Sequence, residues 1–256
     1  HPPPCLTIAA HRFTARTPMS ARLRPAPVPM RELFHQVLSP ACRVVRLALA
    51  EKRLDAAATP ERFWDRREAF LAINPAGTVP ALLDGDVPVS GAYAIPEYLE
   101  ETYPEPALWP QAADERREAR RLYDWFLATF QAEVTEPLLL QKVNPRYCGA
   151  RTGPRPGGPD INAIRGGMEA IRRHLDLIGH LSDTRRWLAG DTLSYADLAA
   201  AAQLSCLDYC GDVPWSANEQ AKTWYMRIKS RPSFRPLLAE TVPGVPPARH
   251  YAVLDF

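Results

Sequence analysis

From residue 31 onward, short apolar runs alternate with amphipathic stretches. Leu33 to Leu38 is a compact apolar run that predicts a strand. Ser39-Pro40 then predicts a helix start, with Ser at the N-cap and Pro at the first helical position. Between Pro40 and Lys52, the residues Ala41, Val44, Val45, Ala48 and Leu49 recur at helical spacing, while Arg43, Arg46, Glu51 and Lys52 take the other face. Glu61 to Leu71 is a second, more polar helical candidate carrying Phe63, Trp64 and Phe70. Asn74 to Pro80 is turn chemistry, and a Pro at the mouth of the next apolar run predicts a turn or a cis peptide bond at Val79-Pro80. Ala81 to Leu83, Asp84-Gly85 and Val87 to Val89 predict a hairpin, followed by a helix that ends near Thr102. The predicted order is β-α-β-α-β-β-α.

Beyond it the periodicity becomes helical throughout. Pro104, Pro106 and Pro110 mark a linker over residues 104–113, separating an α/β unit at 30–103 from an all-helical unit at 114–240. Asp114 to Leu140 is the first long helix, Asn144 to Pro159 a Pro/Gly loop, and Asn162 to Leu181 the second long helix. Ser194 followed three residues later by Asp197 is a capping-box start for an Ala-rich buried helix that ends near Gly211. A last helix covers Ala217 to Ser230, and residues 241–256 form a proline-rich tail.

Composition adds limits. The 256 residues are 46% hydrophobic and 23% charged, ample for a core, and the net charge of +2 gives no argument for nucleic acid or an acidic membrane. The sequence contains no apolar run of membrane-spanning length. His1 to Pro29 holds seven prolines, four arginines and no acidic residue, which predicts a disordered extension, with Met30 the expected natural start. Five cysteines without framework spacing predict a reducing, cytoplasmic setting; Cys206 and Cys210 read as buried structural thiols, and no metal site is expected.

Two stretches carry a family resemblance. Thr78-Val79-Pro80-Ala81-Leu82-Leu83 with Ala94-Ile95-Pro96-Glu97-Tyr98-Leu99 resembles the thioredoxin-like N-terminal domain of the glutathione transferase superfamily. Gly190-Asp191-Thr192-Leu193-Ser194-Tyr195-Ala196-Asp197 resembles a motif of that superfamily's helical domain. The resemblance covers about 31–240 and implies a thioredoxin-like domain followed by an all-helical domain. It also implies a glutathione site in which Ser39 contacts the thiol, the backbone at Val79 and Pro80 pairs with the cysteinyl part, and a Glu/Gln-Ser pair holds the γ-glutamyl group. Physically, a Ser hydroxyl at a helix N-terminus favours a thiolate, although Ser is equally a routine cap. Cys42, one turn on, reads as an inert thiol.

The sequence departs from that pattern where Gly91 and Ala92 stand in place of the Glu/Gln-Ser pair. Ser90 is one position early and substitutes only if the turn slips by a residue. Losing two charge-assisted contacts, at roughly 1.5 to 3 kcal/mol each, weakens glutathione binding by two or more orders of magnitude. The ending Pro246-Pro247-Ala248-Arg249-His250-Tyr251-Ala252-Val253-Leu254-Asp255-Phe256 is too apolar for a solvated tail: it either fills a groove or forms a docking surface, with His250, Tyr251, Leu254, Asp255 and Phe256 as partner-binding candidates. Together with Leu38-Ser39-Pro40-Ala41-Cys42-Arg43, it resembles the glutathione-transferase-like cell division proteins of alphaproteobacteria. That resemblance implies a homodimeric, non-catalytic adaptor that binds filaments of the tubulin-like FtsZ, with no cofactor, in the cytoplasm or at the division site. The alternative is a transferase that conjugates glutathione to an electrophile. Removing 248–256 is expected to cost partner binding but little stability.

Overall fold

A computed structural model describes residues 31–143 and 158–254. The expected extension at 1–29, most of the 144–159 loop, Asp255 and Phe256 lie outside these residues. Among the described residues the sheet has four strands, β1 (Arg31–His35), β2 (Ala57–Pro60), β3 (Ala81–Asp84) and β4 (Val87–Ser90), in the order β2-β1-β3-β4. β2 runs parallel to β1, with Ala57 opposite Glu32, and the crossover between them is α1 (Pro40–Glu51). β3 and β4 are antiparallel, with Arg31 opposite Asp84 and Ala81 opposite Ser90. Helices α2 (Glu68–Ile73) and α3 (Ala94–Thr102) complete this layer.

The first strand stops at His35, three residues short of the expected run, because the chain must turn through Val37 and Leu38 to bring Ser39 to the helix cap. The helix expected over Glu61 to Leu71 is also corrected. It is a 3₁₀ turn at Phe63–Asp65, then Arg66 in the left-handed region at φ 47°, and only then α2. Glu61 is buried and pairs with Arg67 at 2.5 Å, a contact across the break that a continuous helix would not make. Arg43 and Lys52 do not lie on a solvated face either. Helix α1 is sandwiched between the sheet and the helical layer, so Arg43 is buried with Nη1 2.7 Å from the Ser205 hydroxyl, and Lys52 is buried 2.6 Å from Glu100.

The helical layer opens with α4 (Ala113–Asp124), continues through a π-helical segment at Trp125–Thr135, and ends in α5 (Glu136–Lys142). The wide turn leaves the Phe126 carbonyl to accept from the buried Gln203 amide at 2.8 Å, and Gln203 also donates to Gln131 and accepts from Thr135. After α6 (Ile161–Thr184) comes α7 (Tyr195–Cys210), buried from Tyr195 to Tyr209. Its capping box joins Ser194 to Asp197, whose carboxylate also accepts from the Leu188 N–H at 2.8 Å and the Trp224 indole at 3.2 Å. Helices α8 (Glu219–Lys229) and α9 (Arg235–Leu238) follow. Ion pairs Arg46–Glu240 (2.6 Å) and Glu51–Arg231 (2.6 Å) tie the two layers together.

The tail folds back onto the end of α7. The Ala248 N–H donates to the Tyr209 carbonyl at 2.8 Å, and Tyr251 is fully buried, edge-on to Tyr209 at 5.0 Å, with its hydroxyl 3.1 Å from the Leu237 carbonyl. The groove-filling alternative therefore applies to Tyr251, and the expectation that 248–256 can be removed at little cost in stability is overturned. Truncating a buried aromatic ring leaves a cavity. Tyr251→Ala is expected to lose about 3 kcal/mol in urea unfolding; a loss below about 0.5 kcal/mol, the level of ordinary surface substitutions, would mean the ring is not core.

Candidate functional site

The start of α1, the turn before β3 and the start of α5 enclose a cleft of about 340 Å³ between the two layers. Ser39 is built into it as a cap: its backbone is extended (φ −105°), Pro40 follows at the first helical position, and its Oγ accepts from the Cys42 N–H at 3.4 Å. Opposite stands Val79, whose bond to Pro80 is cis. Asn74 shapes this turn, donating to the Thr78 carbonyl at 2.7 Å and accepting from the Ala76 N–H at 3.3 Å. The Val79 N–H and carbonyl make no hydrogen bond among the described residues, so an extended backbone has groups to pair with there.

Ser39 and Val79 thus share one cleft, with Pro80 behind the cis bond. Ser90, Gly91 and Ala92 do not line it. The Ser90 hydroxyl is already committed to the Asn74 side-chain oxygen at 3.3 Å, and the Ala92 carbonyl accepts from the Tyr123 hydroxyl. Gly91 sits at φ 100°, while a Cβ built there meets nothing within 4 Å. A Glu at this position would have room for its side chain but would hold a backbone that costs about 1–3 kcal/mol for a non-glycine residue.

The lining also contains residues the sequence did not single out: Gln36, Thr78 and Gln131 supply amide and hydroxyl groups, and Phe63, Leu139 and Leu140 supply apolar surface. Among the described residues that line it, Glu136 is the one charged side chain and none is Arg or Lys. Glutathione carries two carboxylates and one ammonium near neutral pH, and no described lining residue supplies a counter-charge for its carboxylates. Gln131 and Glu136 reach the cleft because of the π-helical segment, whose hydrogen bonding to Gln203 no periodicity in the sequence reveals.

Cys42 faces away from reaction. It is fully buried, its sulfur accepts from the Gln36 N–H at 3.4 Å, and burial pushes its thiol up to about 11 against the opposing hydrogen bonds from Ser39 and Gln36. Cys206 is likewise buried and its thiol raised by burial, and burial pushes Cys210 up to about 12. Among the described residues no cluster of His, Cys, Asp or Glu is arranged to hold a metal ion, and no helix is long and apolar enough to cross a membrane.

The comparisons agree with this architecture. The family description for the glutathione S-transferase N-terminal domain matches residues 33–107, and that for the C-terminal domain matches residues 163–232. The chain belongs to the glutathione S-transferase family. Within it, FtsZ-localized protein A from Caulobacter vibrioides is 47% identical over 230 residues, 88% of this chain and 98% of its own length. The crystal structure of a glutathione S-transferase from Rhodospirillum rubrum is 53% identical, with a TM-score of 0.84 over 89% of this chain and 100% of that one. The structure of FzlA from C. crescentus is 47% identical, with a TM-score of 0.82 over the same 89% and 100%.

The Cys42 thiol is expected to alkylate at least about 100-fold more slowly at pH 8 than an exposed cysteine, because it is fully buried and labels only when the fold opens locally. Peptide-resolved labelling of the native protein with iodoacetamide measures this, and labelling of Cys42 at the free-cysteine rate would show a reactive site.

Proposed function

We propose that this member of the glutathione S-transferase family is a non-catalytic adaptor in cell division, binding FtsZ polymers as a homodimer in the cytoplasm and at the division site. The observation that carries the reading is the likeness to FtsZ-localized protein A over nearly that protein's whole length, in a chain where Gly91 and Ala92 stand in place of the glutathione-binding pair. The cleft supports it, since none of its described lining residues offers a cation for a carboxylate ligand. The exposed end of the tail supports it too: Val253 and Leu254 remain 42% and 45% exposed after Tyr251 is taken into the core. Leu254 is the described partner-binding candidate that stays exposed, while His250 and Tyr251 face inward; Asp255 and Phe256 lie outside the described residues.

A second reading, conjugation of glutathione to an electrophile, is favoured by Ser39 at the cap of α1 and by the free Val79 backbone in the same cleft. Calorimetry separates the two. Titration with reduced glutathione is expected to give no saturable heat up to several millimolar, and Gly91→Glu with Ala92→Ser to bring binding into the millimolar range at some cost in stability. Saturable binding to the unaltered chain would favour the transferase.

Removal of residues 252–256 leaves Tyr251 in place. It is expected to reduce co-sedimentation with FtsZ polymers at least tenfold with a near-native melting temperature. Undiminished co-sedimentation would exclude the chain end as the docking surface.

A further inference from the structure

Asp208 lies near the end of α7, fully buried, and gathers four donors. The Trp215 indole is 2.8 Å away, the Tyr225 hydroxyl 3.3 Å and the Lys229 ammonium 3.2 Å; all three come from the segment around α8. The fourth is His250 of the tail, with Nε2 2.9 Å from Oδ1. Lys229 already neutralises this carboxylate inside the core, so the fold does not need His250 for charge balance. What the histidine adds is geometry.

Beyond the Ala248 N–H on the Tyr209 carbonyl, two side chains anchor the turn at 250–253. Tyr251 inserts its ring beside Tyr209, and the adjacent His250 ring, about one-third exposed, turns back to Asp208. Between them the turn closes: the Tyr251 N–H donates to the Ala248 carbonyl at 2.9 Å, and the Val253 N–H to the His250 carbonyl at 3.0 Å. Val253 and Leu254 emerge from that turn into solvent. One ring therefore supplies apolar burial, and the other fixes the direction in which the exposed pair leaves the fold. A partly exposed ring can be removed without opening a core cavity, so the two roles are separable.

We propose that the His250–Asp208 pair is a latch that orders the turn at 250–253 and presents Val253 and Leu254 to the protein partner. His250 is a positioning residue: it faces inward and acts through the apolar pair beyond it. The proposal rests on the reading of the chain end as the partner-binding surface. It differs from that reading in predicting that an inward-facing group, which the partner never touches, controls recognition.

The test compares the full chain with His250→Ala and His250→Gln, whose amide nitrogen reaches the same distance toward Asp208. Three properties are read: hydrogen exchange at the Val253 amide, half-saturation in co-sedimentation with FtsZ polymers, and melting temperature. In His250→Ala, exchange at Val253 is expected to rise at least tenfold and half-saturation at least fivefold, with melting lowered by no more than about 4 °C. His250→Gln is expected to restore both exchange and binding, which a merely structural defect would not explain.

Unchanged exchange in His250→Ala would overturn the latch. So would faster exchange with unchanged FtsZ binding, provided removal of 252–256 does abolish binding. If the unaltered chain does not sediment with FtsZ at all, the partner reading fails, and with it the role in presentation. Exchange at Val253 then decides alone whether the latch exists.

Discussion

Helix α7 is buried on every side, and a buried polar group without a partner is costly. Four polar side chains on this one helix therefore dictate where the rest of the chain can go. Asp197 claims the turn at 188–194 and the Trp224 indole. Gln203 claims the opened carbonyl of the π-helical segment and fixes Gln131 beside it. Ser205 accepts from Arg43, which locks α1, and so the α/β layer, against the helices. Asp208 gathers Trp215, Tyr225, Lys229 and the returning tail. Apolar packing alone would tolerate some sliding between layers; four satisfied polar anchors at different heights along the helix do not.

This arrangement explains what could be read beforehand and what could not. The apolar period of α1, the hairpin of β3 and β4, and the Ser194–Asp197 cap rest on local rules, and each is present with small shifts at its ends. The strand β2 has the sequence Ala-Ala-Thr-Pro and little apolar signal; it is a strand because β1 offers a parallel edge after the α1 crossover. Arg43 and Lys52 looked like surface charges because nothing local tells a solvated helix face from one facing a second layer. The π-helical segment was hidden for the same reason, since its stabilising group, Gln203, lies far along the chain.

The candidate site was legible in part. Ser39 and the Val79-Pro80 turn could be named from cap and turn chemistry, and they do face one cleft. The commitment of Ser90 to Asn74 and the acidic charge of Glu136 on the lining depend on tertiary packing. The tail was legible as apolar but not in its division of labour. Its buried half, around Tyr251, contributes to the core, and Val253 and Leu254 stay exposed.

The most direct test of this account is the binding isotherm of the full chain on FtsZ polymers, measured by co-sedimentation with and without several millimolar reduced glutathione. The account predicts saturable binding that glutathione leaves unchanged. Absence of binding, or binding that glutathione displaces, would contradict it.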